Sequence, residues 1–190
     1  KSKVFPLKDF SARMRYPEKM ELTASNWYGA LYYNIQEFKS QKKKMYLLFG
    51  YDAYSFYERR KLLDILYFDE NGEPAFGSPI LNHTTVVKDR PDILHKYHRF
   101  ILQYSAEASS SMNYDEEMEM VVFDHFIQVG SRFPDIPYVN VPDGSYEGLK
   151  LEKGEWVHHL KLFHETMETA PREEPLFDKR KDRGMFGGDE

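Results

Sequence analysis

Histidine is the side chain best suited to binding a metal or moving a proton near neutral pH. This chain carries it at positions 83, 95, 98, 125, 158, 159 and 164. His95 and His98 are spaced so that a helix could offer two imidazoles to one ion. A third ligand would have to come from a distant segment, and His125 beside Asp124 is the candidate there. His158 and His159 fall on an expected strand, where successive side chains point to opposite faces and do not share an ion. The absence of cysteine removes thiolate ligands, a disulfide scaffold and a cysteine nucleophile together. These spacings predict neither a metal site nor a cofactor.

Paired carboxylates are the next source of chemistry. Asp52, Glu58, Asp64, Asp115 and Asp124 could meet in a cleft lined by Trp27, Tyr51, Tyr54 and Tyr57. Two acids among aromatic rings suit a sugar. The competing reading is that acids gather at turns and strand ends, where they keep sheet edges soluble. Serine, histidine and aspartate are all present, but no nucleophile elbow is recognisable. Gly184, Gly187 and Gly188 lie in a charged tail with no helix after them, so they do not make a phosphate-binding loop. Asp69, Asn71 and Glu73 surround Gly72 like the start of a calcium loop, but the required glycine and glutamate further on are missing. No catalytic residue is assigned on these grounds.

The two ends carry isolated apolar side chains in polar surroundings. Phe5, Leu7 and Phe10 stand in a basic N-terminal arm, residues 1–25; Leu176, Phe177, Met185 and Phe186 stand in a charged, Pro- and Gly-containing tail, residues 171–190. Apolar anchors in a polar segment suit a docking peptide, whether its groove belongs to the same domain or to a partner.

Between the arms, residues 26–170 read as a single β-rich domain. Aromatic residues make up 16% of the chain, with fourteen Tyr and fourteen Phe, and such rings favour pleated surfaces. Trp27, Leu31, Tyr33 and Ile35 fall on odd positions, the period of a strand. With the apolar run at 45–49 they predict a hairpin tipped by Lys42, Lys43 and Lys44. Residues 61–68 predict another strand, and Asn71-Gly72 a type I′ turn after it. The returning strand carries Pro74 and Pro79 and is therefore expected at an edge or with a bulge. Residues 82–96 read as a polar connection and 98–104 as a strand. Two further hairpins are expected, one around Asp115-Glu116-Glu117 and one around Lys153-Gly154, with a Pro-containing loop at 130–142 between them. The fold class is mainly β, an antiparallel meander of hairpins closing as a barrel, a sandwich or a partial propeller.

Charge and hydropathy exclude other classes. A net charge of −5 does not suit a general nucleic-acid binder. No apolar stretch approaches the roughly 20 residues of a membrane-spanning helix. The first ten residues lack the apolar core of a signal peptide, and a start at Lys1 is what a processing site or a trimmed chain would leave.

The stretches at 26–33, 49–52, 66–77, 114–125 and 142–148, with Asn-Trp-Tyr-Gly-Ala-Leu-Tyr-Tyr and Pro-Asp-Gly-Ser-Tyr-Glu-Gly at their two ends, resemble a family of exported Bacteroidota β-rich proteins with no assigned activity. The likeness spans roughly residues 26–160. It implies a periplasmic or outer-membrane-associated address and no catalytic residues. The expectation is a non-catalytic interaction domain, an accessory subunit docking through its arms on other protein subunits of an envelope assembly. The alternative is a carbohydrate-binding module or weak glycoside hydrolase using the aromatic face.

Overall fold

Strand-forming runs separated by tight turns dominate the computed structural model, which describes residues 3–86, 91–160 and 162. Among the described residues the strands are β1 (Leu22–Thr23), β2 (Leu31–Ser40), β3 (Lys43–Asp52), β4 (Glu58–Phe68), β5 (Pro74–Phe76), β6 (Leu81–Thr85), β7 (Ile93–Tyr97), β8 (Arg99–Ser105), β9 (Met112–Asp115), β10 (Met120–Gly130), β11 (Tyr138–Glu152) and β12 (Glu155–His159). They form two six-stranded sheets. One runs β1-β5-β4-β3-β2 with β8 also paired to β4; the other runs β7-β6-β12-β11-β10-β9. The pairing is antiparallel apart from β6 with β12, which align in parallel over Leu81↔Trp156 and Asn82↔Val157.

The sheets pack face to face as a sandwich. Leu47, Phe49, Leu63 and Ile65 of the first sheet meet Leu81, Val121, Phe123, Leu149 and Trp156 of the second in one buried cluster. Alternation along β3 and β4 sends Leu48 and Leu62 to the opposite face, where Leu22, Tyr28, Ala30 and Phe76 cover them. Both faces of the first sheet are thus buried, which explains why residues 45–49 read as a continuous apolar run rather than an alternating one.

The N-terminal arm supplies that outer cover. It crosses the sheet in three short 3₁₀ turns at Ser11–Arg13, Pro17–Lys19 and Ala24–Asn26. Its backbone is held by Lys8 N–H to Ala24 O (2.7 Å), Trp27 N–H to Lys8 O (3.0 Å) and Phe10 N–H to Trp27 O (2.9 Å). Gly29 sits at φ +72°, and a Cβ there would stand on the Asp9 carboxyl group. Arg99, wholly buried, donates to Pro17 O at 2.8 Å and lies 2.9 Å from the equally buried Asp64 carboxylate. Burial pushes the Asp64 carboxyl up; Arg99, the Tyr32 hydroxyl and the Ile65 N–H work against it.

Several local expectations are corrected. Tyr33 is the extra residue of a bulge, since the β2–β3 register shifts between Tyr32 and Asn34. The odd residues of β2 therefore do not share a face: Leu31 lies opposite Tyr51, and Ile35 opposite Leu48. The turn at Asn71-Gly72 has positive φ only at Gly72, and the Asp69 carboxylate accepts the N–H groups of Asn71 and Glu73 at 2.8 Å each. A side-chain-capped loop replaces the type I′ turn. Paired positive φ angles occur instead at Gln41-Lys42 (49° and 66°) and Lys153-Gly154 (51° and 86°). Strand β5 is not an edge, because β1 covers it; Pro74 is tolerated as its first residue. Residues 82–96 contain β6 and β7 rather than a plain connection, and β11 begins at Tyr138 and runs through Pro142.

Candidate functional site

The four rings read from the sequence as one aromatic face lie apart. Trp27 belongs to the outer cover, its Nε1–H donating to the Tyr32 hydroxyl at 3.1 Å. Tyr51 lies beneath the Lys61 ammonium, and Tyr54 beneath the Arg60 guanidinium at 3.3 Å from the ring centre. Tyr57 packs on Phe133 at 4.8 Å and Phe56 at 5.1 Å. None of the four lines either of the cavities described below. The acids are engaged separately as well. Asp52 accepts from the Tyr28 hydroxyl, Glu58 from Gln103, Asp115 from the Glu117 and Met118 N–H groups, and Asp124 from Ser111 N–H.

Of the arm anchors, Phe5 packs 6.2 Å from Phe68, Leu7 is exposed, and Phe10 lies under the Arg13 guanidinium. Leu176, Phe177, Met185 and Phe186 lie outside the described residues. The arm forms an open hollow of about 470 Å³, lined by Phe10, Met14, Tyr16, Met20 and Asn26 together with the cations Arg13, Arg15 and Lys19. Among the described residues, none of these three cations pairs with a carboxylate. Two of them lie over rings: Arg13 is 5.0 Å from the centre of Phe10 and Lys19 is 5.8 Å from that of Tyr16. This is an apolar hollow with a positive rim.

The chain matches no protein-family model, curated protein or solved structure.

A second constellation lies on the inner face of the other sheet. His83 of β6, Glu147 of β11 and His158 of β12 bring one ligand atom each within 4.8 Å of one another. His158 Nε2 is 2.9 Å from Glu147 Oε2, and His125 Nδ1 is 2.5 Å from Glu147 Oε1. The His83 ring stacks on that of His158 with centres 4.2 Å apart. Burial, then the neighbouring His158, lowers the His83 pKa to about 4. Burial alone would raise the Glu147 carboxyl, but hydrogen bonds from His158 and His125 outweigh it and hold the group below its usual range. His83 also lines a cavity of about 440 Å³ with Arg15, Arg60 and Tyr97.

His125 was legible as a ligand-like residue, but its partner is Glu147 rather than Asp124. His83 and Glu147 were missed. The signal was parity: His83 follows Leu81, Glu147 precedes Leu149 and His158 follows Trp156 by two residues, and all three apolar neighbours are core. His95 and His98, whose spacing would suit one ion on a helix, do not lie on one: His95 is on β7 and His98 directly follows that strand. His95 stacks on Tyr97 at 5.7 Å, while His98 gives its backbone N–H to Glu18 O.

Proposed function

We propose that this chain is a non-catalytic interaction domain whose arm cavity holds an acidic, apolar segment of a partner protein, and that it serves as an accessory subunit of a bacterial cell-envelope complex. The observation that carries this reading is the set of cations Arg13, Arg15 and Lys19, none paired with a carboxylate among the described residues, around an apolar hollow. An apolar side chain of the partner would displace water from the hollow while its carboxylates meet the rim, which supplies both affinity and register. The arm can present this surface because its other side is already spent on Leu48 and Leu62 of the first sheet. The resemblance of residues 26–160 to an exported family supports the envelope address. Trp27, Tyr51, Tyr54 and Tyr57 are engaged with different partners and line neither cavity, so nothing among the described residues favours the carbohydrate reading.

The test is capture from mildly solubilised envelopes by the full-length chain and by an Arg13→Glu, Arg15→Glu, Lys19→Glu variant whose circular dichroism matches it. A stoichiometric partner that carries an acidic, apolar segment and is lost with the variant is the expected result. Equal capture by both chains, or no stoichiometric partner with either, overturns the proposal.

A further inference from the structure

The polar cluster on the inner face of the second sheet is expensive as a piece of core. Glu147 and His158 are 7% and 8% exposed, and a carboxylate in such a place is destabilising unless it is fully partnered. Packing alone would be served by apolar residues at these inward positions, as it is at Leu81, Leu149 and Trp156 beside them.

We infer that His83, Glu147 and His158 form a binding site for a divalent transition metal of the zinc class, with two imidazole nitrogens and one carboxylate oxygen as ligands. The donor set is borderline in softness, which suits zinc over calcium or magnesium. The three ligands come from adjacent strands, β6, β12 and β11, so the hydrogen-bonded sheet fixes their spacing. Around a tetrahedral ion, bonds of about 2.0–2.1 Å set ligand atoms roughly 3.3 Å apart. His158 Nε2 and Glu147 Oε2, now 2.9 Å apart, would open slightly, the wider separations of up to 4.8 Å would close, and the His83 ring, stacked on His158, would turn to aim its nitrogen at the ion.

The surroundings are those of a metal site as well. Ligating histidines hand their other ring nitrogen to a backbone carbonyl or carboxylate, and ligating carboxylates are hydrogen-bonded on their free oxygen. His125 holds Glu147 Oε1, leaving Oε2 on the side of His158. His158 Nδ1 lies 3.3 Å from Thr84 N and 3.2 Å from Thr84 O. With the proton on Nε2, His158 would donate to Glu147 while Nδ1 accepts the Thr84 N–H. With metal on Nε2, the proton sits on Nδ1 and is donated to the Thr84 carbonyl. Thr84 thus serves both tautomers without moving the ring. His83 also borders the 440 Å³ cavity, which gives water a route to a fourth coordination position.

This inference stands independently of the docking proposal. The experiment is titration of the chelator-treated full-length chain with Co²⁺ and Zn²⁺, followed by visible absorption, calorimetry and thermal melting. The expected result is one equivalent of Co²⁺ with tetrahedral d–d absorption, displacement by Zn²⁺ and a rise in Tm reversed by chelator. His83→Gln, at a half-buried position, should abolish the absorption while keeping the fold, and Glu147→Gln should do the same. His125→Gln should retain the absorption with affinity lowered roughly 10- to 100-fold. No binding by the wild-type chain, or undiminished binding by folded His83→Gln and Glu147→Gln variants, overturns the site.

Discussion

Arg99 shows how one side chain can tie three layers together. It is wholly buried, it ion-pairs with Asp64 on β4, it donates to the arm at Pro17 O, and its guanidinium lies 5.6 Å from the centre of the Tyr28 ring. Arginine stays charged at any ordinary pH, so the pair is one of partners that cannot be removed singly. Arg99→Met leaves the Asp64 carboxylate buried without its cation and should cost about 3–5 kcal/mol. Asp64→Leu combined with Arg99→Met should recover a large part of that loss. Urea denaturation of the single and double variants measures both, and additive losses would show that Arg99 acts mainly through the arm rather than through Asp64. Nothing in the sequence around Arg99, a basic residue between His98 and Phe100, marks it as core. Its burial is decided by what the arm and β4 bring to it.

Among the elements, the arm packs on its own domain, one of the two grooves its apolar anchors left open. It is part of the fold on one side and a candidate interface on the other. Its seating depends on Gly29, whose positive φ turns the chain into β2 and whose missing side chain admits the Asp9 carboxyl. Gly29→Ala should destabilise the protein by more than about 1 kcal/mol, because alanine is strained there and displaces Asp9. The loosened arm should then be cut faster by trypsin at Lys8, Arg13 and Arg15 while the sandwich survives. Unchanged cleavage would mean that the arm is held chiefly by Arg99 and the Trp27 contacts. Hairpins 2–3, 9–10 and 11–12 were legible because apolar strands flank obvious turns; β6 and β7 were not, because β6 is polar beyond Leu81, β7 is short with Ile93 and Leu94 exposed, and β6 also pairs with the distant β12.

At the scale of the whole molecule, the sandwich is closed by large rings that bridge the sheets. Trp156 is 1% exposed and meets Phe38 edge-on with ring centres 5.4 Å apart, and Phe100 meets Phe123 at 5.2 Å. Trp156→Ala should cost about 3–5 kcal/mol, read from the urea midpoint by circular dichroism, and a loss below about 1 kcal/mol would mean the core collapses into the space. Among the described residues no helix is long and apolar enough to cross a membrane. Composition, alternation and turn chemistry by themselves determined the mainly β class, most of the hairpins and the lack of cysteine chemistry, because these depend on neighbours a few residues apart. Tertiary structure decided that the hairpins close as a sandwich, that the arm covers the first sheet, and that His83, Glu147 and His158 converge. Those residues are up to 75 positions apart in the chain. Only strand order and register bring them side by side, and the parallel contact of β12 with β6 is a pairing that no short-range pattern encodes.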